Sequence, residues 1–203
     1  MIVGEEKERE RIAKDLHDSL GGLLSTVKLQ FDNFKTKLTG HNSMDQYNKA
    51  TNLLDNAVEE VRSISRNLQP TALKRDGLVP ALQDLINRLD QEGMPEIFFQ
   101  PYDVPEKIDE IISLSVFRVI QELLNNSIKY AKAKEILIQL NSDGDELYLQ
   151  YEDDGIGFDY NNLPRKGMGL ENIYSRINYL KGNIVIDSKP EEGVYVMAKV
   201  PLK

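Results

Sequence analysis

Four short stretches of this 203-residue chain carry side chains whose types and spacing can do chemistry. The first is IAKDLHDSLGGLLS, Ile12 to Ser25. One imidazole, His17, stands beside a carboxylate, Asp18, and two glycines, Gly21 and Gly22, follow inside what should be a helix. Imidazole in water titrates near ~6.5, so the neutral ring is populated at pH 7 and one of its nitrogens can act as a nucleophile. As that nitrogen forms a bond, the other ring N–H becomes acidic, and Asp18 is the nearest carboxylate that can take the proton. A lone histidine on a helix is more often a surface or boundary residue. Each glycine costs up to about 1 kcal/mol in a helix interior relative to alanine. Their use is either to open space beside His17 or to let the helix bend.

The other three stretches lie in the second half. QELLNNSIKYAKA sets Glu122 and Asn126 at i, i+4 and Asn126 and Lys129 at i, i+3, with Tyr130 next. On a helix these share a face. An amide oxygen can ligate a hard cation, a carboxylate can hold its water, and an ammonium can meet a phosphate. The plain alternative is a solvated polar face. YEDDGIGFD follows a strand pattern and holds Asp153-x-Gly155-x-Gly157. Glycines there allow a tight turn and close approach of backbone to a ligand, and an acid can accept the exocyclic amine hydrogen of adenine; the alternative is an ordinary Asp-Gly turn. RKGMGLENI places Gly167 and Gly169, followed by Leu170, at a helix start. Backbone N–H groups and the helix dipole favour an anion there. A lone Gly-x-Gly says little. The three elements, in this order and with strands between them, point together to a nucleotide.

Two organisations position these residues, and they meet near residue 70. From Glu5 to about Leu38 there is no proline, and Ile12, Leu16, Leu20, Leu23, Val27, Phe31, Phe34 and Leu38 form one stripe in steps of three and four. On a wheel at 100° per residue His17 lies about a quarter-turn off the stripe's centre, beside Gly21. TGHNSMD reads as a turn, with Gly40 as helix stop and Asn42 or Ser43 as N-cap. Tyr47, Ala50, Leu54, Ala57, Val61, Ile64 and Leu68 then form a heptad seam. One hairpin cannot bury two such stripes, but two hairpins make a four-helix bundle, so a homodimer through residues 5–69 is expected. Pro70 ends the helix. Beyond it come a short helix closed by Gly93, a strand at PEIFFQP and a long helix over 107–132. Two strands joined at SDGD follow, then a helix from about Met168 to Leu180 and a closing hairpin. Helices beside mainly antiparallel strands predict an α/β sandwich of the α+β class.

Composition narrows the function. With 25 Lys and Arg against 33 Asp and Glu, the net charge is -8 and no basic cluster suits non-specific nucleic-acid binding. There is no cysteine and there are two histidines, which argues against a zinc site or a thiol nucleophile. No run approaches ~20 apolar residues, so no membrane contact is expected within this chain. The start lacks the apolar region of a signal peptide. A cytoplasmic location is the expectation, and the abrupt opening into a charged helix suits a piece cut from something longer.

Asn126 with its neighbours, Asp153-Gly155-Gly157 and Gly167-Gly169 resemble the N, G1 and G2 boxes of the Bergerat-fold ATPases. ERERIAKDLHDSLG resembles the phosphoacceptor helix of sensor histidine kinases, in the class that includes nitrate sensors and the membrane-fluidity thermosensor. LQPTALKRDGLVPALQDLI is similar to that class's connector, and the resemblance covers nearly the whole chain. It implies a dimerisation and phosphotransfer domain over 1–69, a connector and first catalytic-domain helix over 70–94, and an ATP-binding Bergerat-fold domain over 95–203. By this resemblance Asn126 would ligate Mg²⁺ with Glu122 behind it in a catalytic role, and Asp153 would read adenine. Lys129, Tyr130, Gly155 and Gly157 would join the ATP site. Gly167, Gly169 and Leu170 would shape a short lid over about Phe158 to Met168. His17 would attack the γ-phosphorus of ATP with Asp18 as base, then pass the phosphoryl group to an aspartate of a response-regulator receiver domain.

Two departures stand out. The last hairpin often carries Gly-Thr in that family, and this chain has Gly193-Val194, which removes a water anchor near adenine. Many members carry Asp-x-x-x-Gln after the histidine, the glutamine positioning the water that dephosphorylates the regulator. Here the frame runs from Asp18 to Gly22, so phosphatase activity is expected to be weak. Two other readings fit parts of the pattern. One is a Bergerat-fold protein-serine kinase or regulatory binding module that does not use its own histidine. The other is a nucleotide-binding dimerisation scaffold without turnover.

Overall fold

The apolar period of the first seventy residues produces helices, and the alternation after residue 95 produces a sheet. The computed structural model describes residues 2–35, 41–68, 70–89, 93–160 and 168–203, and divides into two compact units, Met1–Thr71 and Ala72–Lys203. None of its described helices is long and apolar enough to cross a membrane.

The first unit holds α1 (Ile2–Asp15), a π-helical segment (Leu16–Gly21), α2 (Gly22–Lys35) and α3 (His41–Leu68). The two arms run antiparallel, because contacts pair early with late residues. Ser65 donates its hydroxyl to the Ala13 carbonyl at 3.1 Å, Lys28 pairs with Asp55, and the Phe31 and Tyr47 rings lie 6.4 Å apart. Among the described residues, Ala13, Tyr47, Val58 and Val61 are the buried apolar side chains of this unit. Ile12, Leu20, Leu23, Val27, Phe31 and Ile64 of the predicted stripes remain at least a third exposed. Leu38, Gly40 and the side chain of Phe34 lie outside the described residues. Neither Asn42 nor Ser43 is the N-cap of α3, since the helix already begins at His41. No glycine or proline interrupts residues 41–46, so nothing there forces a later start.

The second unit opens with α4 (Thr71–Asp76), a one-turn helix that the sequence reading lacked, and α5 (Leu78–Leu89). Gly77, at φ +88°, donates its N–H to the Leu73 carbonyl at 3.2 Å and closes α4 in the left-handed conformation. Then come β1 (Glu96–Tyr102), α6 (Glu110–Asn126) with a π-helical extension (Ser127–Ala131), β2 (Glu135–Ser142) and β3 (Glu146–Asp153). They are followed by α7 (Met168–Tyr179), β4 (Asn183–Ser188) and β5 (Val194–Pro201). Asp109 caps α6 by accepting from the N–H groups of Ile111 and Ile112. The strands order β1-β2-β3-β5-β4, with β1 parallel to β2 and the remaining pairs antiparallel. Alternation buries Ile136, Ile138 and Leu140 of β2, Leu147, Leu149 and Tyr151 of β3, and Val196, Ala198 and Val200 of β5. These meet the apolar faces of α5, α6 and α7 in one core, so the expected two-layer α/β sandwich is present.

Candidate active site

In the first unit the His17 ring is 73% exposed and its Nδ1 lies 3.1 Å from Asp18 Oδ1. With Nδ1–H donating to that carboxylate, Nε2 carries the free lone pair. The segment that presents the pair, Leu16–Gly21, is π-helical, not α-helical. Hydrogen bonds of the i→i+5 kind widen the turn, and His17, the second residue of the segment, is reachable from solvent as its place on the helix wheel implied. Side-chain hydroxyls back-bond around the segment: Ser19 to the Asp15 carbonyl at 2.7 Å, Ser25 to Gly21 at 2.8 Å and Thr26 to Gly22 at 2.9 Å. A Cβ on Gly22 would meet nothing within 4 Å, and one on Gly21 only the Leu16 carbonyl at 3.8 Å. Crowding within this unit therefore does not require glycine at either position.

In the second unit Asp153 ends β3 and is 3% exposed. Its Oδ2 accepts from Ser127 Oγ at 2.5 Å, and its Oδ1 accepts the Gly155 N–H at 3.0 Å. Ser127 Oγ also lies 2.7 Å from the Tyr151 hydroxyl, whose acidity burial suppresses. The neighbouring Asp154 turns the other way and accepts from the N–H groups of Lys134 and Glu135, which hold its carboxyl below the usual range. Gly155 and Gly157 serve the protein's own backbone. A Cβ on Gly155 would stand 2.5 Å from Ala131 Cβ, and one on Gly157, at φ +56°, would stand 2.1 Å from the Lys189 carbonyl. The crowding at their Cβ positions comes from Ala131, at the end of the π-helical extension, and from the β4–β5 turn.

Glu122 and Asn126 share a face of α6 as their spacing requires, and both meet the start of α7. A Cβ on Gly169 would lie 2.4 Å from Glu122 Oε1 and 3.5 Å from Asn126 Nδ2. Leu170 is half-buried and packs on the core. Lys129 and Tyr130 are exposed, Tyr130 at 69%. They fall in the π-helical segment, where i, i+3 spacing no longer stacks side chains, so the shared face of Asn126 and Lys129 is corrected. Gly167 and most of the expected lid lie outside the described residues. Sequence reasoning missed Ser127, Tyr151 and Ser188. Ser188 donates its hydroxyl to the Gly193 carbonyl at 2.7 Å and accepts the Phe158 N–H at 2.9 Å. Each is a common residue inside a helix or strand, and no local pattern singles it out.

Among the described residues no group of three His, Cys, Asp or Glu forms a metal cage. One carboxylate and one amide, Glu122 and Asn126, form a sparse hard-oxygen set. That set fits Mg²⁺, which binds through one or two protein oxygens together with substrate phosphates and waters.

Residues 112–203 match the family described as "Histidine kinase-, DNA gyrase B-, and HSP90-like ATPase", and residues 8–73 match the family described as "Histidine kinase". The chain is 25% identical over its whole length to the signal transduction histidine-protein kinase/phosphatase DegS of Brevibacillus brevis, covering 53% of that protein. It is 26% identical over 99% of its length to the oxygen sensor histidine kinase NreB of Staphylococcus carnosus, covering 58% of it. It is 31% identical over 95% of its length to the sensor histidine kinase ComP of Bacillus subtilis, covering 26% of it. The chain thus spans about half the length of the first two relatives and about a quarter of the third. The histidine kinase domain of a blue-light activated histidine kinase from Erythrobacter litoralis shares the fold, with a TM-score of 0.54 and 17% identity over 89% of this chain and 94% of that one.

Proposed function

This chain belongs to the histidine kinases, carrying their phosphoacceptor domain and an ATP-binding domain homologous to those of two-component sensor kinases, and from that premise we propose that it transfers the γ-phosphoryl group of ATP to its own His17. The observation that carries the proposal is the exposed His17 ring with Nδ1 on Asp18 at 3.1 Å. Nε2 attacks the γ-phosphorus, the bond to the bridging oxygen breaks, ADP leaves, and the Nδ1 proton passes to Asp18 Oδ1. In the second unit Asp153 accepts the adenine amine, and Asn126 would ligate Mg²⁺ with Glu122 behind it. Mg²⁺, when bound, neutralises charge developing on those phosphates.

Phosphohistidine then donates to an aspartate of a receiver domain, in keeping with the family. The uncovered stripe of Leu20, Leu23, Val27 and Phe31 supports pairing with a second copy. Gly22 offers no amide to hold water, which supports weak phosphatase activity.

Incubation with γ-labelled ATP tests the proposal. The parent chain takes up acid-labile, base-stable label. His17→Gln takes up none while binding ATP as the parent does, since the nucleotide site lies in the other unit. Label persisting on His17→Gln sinks it.

A further inference from the structure

We propose that Ser127, itself held by Tyr151, is the positioning residue that makes Asp153 distinguish a 6-amino purine from a 6-oxo purine. The inference rests on the reading of Asp153 as the adenine acceptor. Ser127 donates its single hydroxyl hydrogen to Asp153 Oδ2 at 2.5 Å. The 2.7 Å contact with Tyr151 is therefore Tyr151 O–H donating to Ser127 Oγ. All three side chains are buried, with 0% of Tyr151 and 3% each of Ser127 and Asp153 exposed. The relay runs in one direction, from phenol to hydroxyl to carboxylate. Gly155 N–H holds the other oxygen at 3.0 Å. One donor on each oxygen fixes the plane of the carboxylate and leaves its remaining lone pairs as the acceptors for a ligand.

An acceptor fixed in that way meets the amine hydrogens of adenine. Against the carbonyl of a 6-oxo base it sets acceptor on acceptor, which leaves both unpaired. Removing the Ser127 hydroxyl frees Oδ2 and makes room for a water. Water both donates and accepts, so it bridges either base and erodes the distinction. Among the described residues two other candidates for the place supply no hydroxyl hydrogen to it. Val194 pairs with Asp153 in strand register and has no hydroxyl, and the Ser188 hydroxyl hydrogen is committed to the Gly193 carbonyl.

Calorimetric titration of the chain with ATP and with inosine triphosphate, both with Mg²⁺, tests this. The parent prefers ATP. Ser127→Ala loses about tenfold in ATP affinity, the scale of a hydrogen bond to a charged group, and changes little for inosine triphosphate, so the ratio collapses by the same factor. A merely structural role weakens both nucleotides alike. Tyr151→Phe removes the donor behind Ser127 and lowers the ratio by a smaller factor, which keeps the test in force if Ser127→Ala unfolds by circular dichroism. A ratio unchanged in a folded Ser127→Ala, or in Tyr151→Phe where that variant carries the test, overturns the role of Ser127. The site reading has its own control: a parent without ATP affinity, or an ATP preference that survives Asp153→Asn, overturns that reading instead.

Discussion

Asp18→Asn separates proton acceptance from everything else the side chain does. Asparagine keeps the size of the residue and an oxygen that accepts from His17 Nδ1, so the 3.1 Å contact survives. The two side chains are 73% and 61% exposed, and an exposed pair of this kind contributes at most about 1 kcal/mol to the folded state. Folding and ATP affinity therefore stay as in the parent. The transition state is different. As Nε2 bonds to phosphorus, Nδ1 must lose its proton, and an amide oxygen is too weak a base to take it. Loss of a general base lowers rates by roughly 10²–10⁴-fold, which is at least about 2.7 kcal/mol on the barrier. Single-turnover label uptake at saturating ATP should fall by about a hundredfold or more. Calorimetry with ATP and a thermal melt should match the parent. An Asp18→Asn rate within a few fold of the parent's would refute the reasoning, because the proton would then leave by another route.

Gly22→Gln should gain dephosphorylation of a phospho-receiver domain while keeping autophosphorylation, since the added side chain enters open space one turn beyond Asp18. The backbone there is already right-handed helical, so the change should also stabilise the helix by about half a kcal/mol. Loss of label from purified phospho-regulator reads the first effect; strong phosphatase activity in the parent would show that another group orients the water. Gly193→Ala should destabilise the second unit by about 2–5 kcal/mol, adding left-handed backbone strain to overpacking. Gly193 has φ +71°, and a Cβ there would stand 1.9 Å from the Asp153 carbonyl oxygen. Chemical denaturation followed by circular dichroism measures it, and ATP affinity should fall with it because the clash falls on Asp153, the proposed adenine acceptor; an unshifted midpoint would mean that the β4–β5 turn yields freely.

Properties of consecutive residues were legible before any coordinates. The heptad steps from Tyr47 to Leu68 match one helix, and alternation located all five strands and the two-layer class. Residue types alone marked His17 beside Asp18, Asn126 one turn after Glu122, and Asp153 at a strand end. The two π-helical segments were not legible, although both fall on the sites. Moving from i→i+4 to i→i+5 bonding changes neither composition nor apolar period enough to read. The second takes Lys129 off the face it would share with Asn126 in a regular α-helix, while His17 stays reachable from solvent as expected.

What the tertiary structure decided concerns residues far apart in the chain. Ser127 and Asp153 are separated by 26 positions and Ser127 and Tyr151 by 24, yet they form one relay because α6 packs across the face of the sheet where β3 ends. Gly155, Gly157 and Gly193 stand where neighbouring segments approach too closely for a Cβ, which no local pattern displays. Local preference and period depend on neighbours along the chain, so a sequence displays them directly. Which hydroxyl reaches a buried carboxylate, and which glycine lacks room, depend on the distance between packed segments, and that distance exists only once the core has closed.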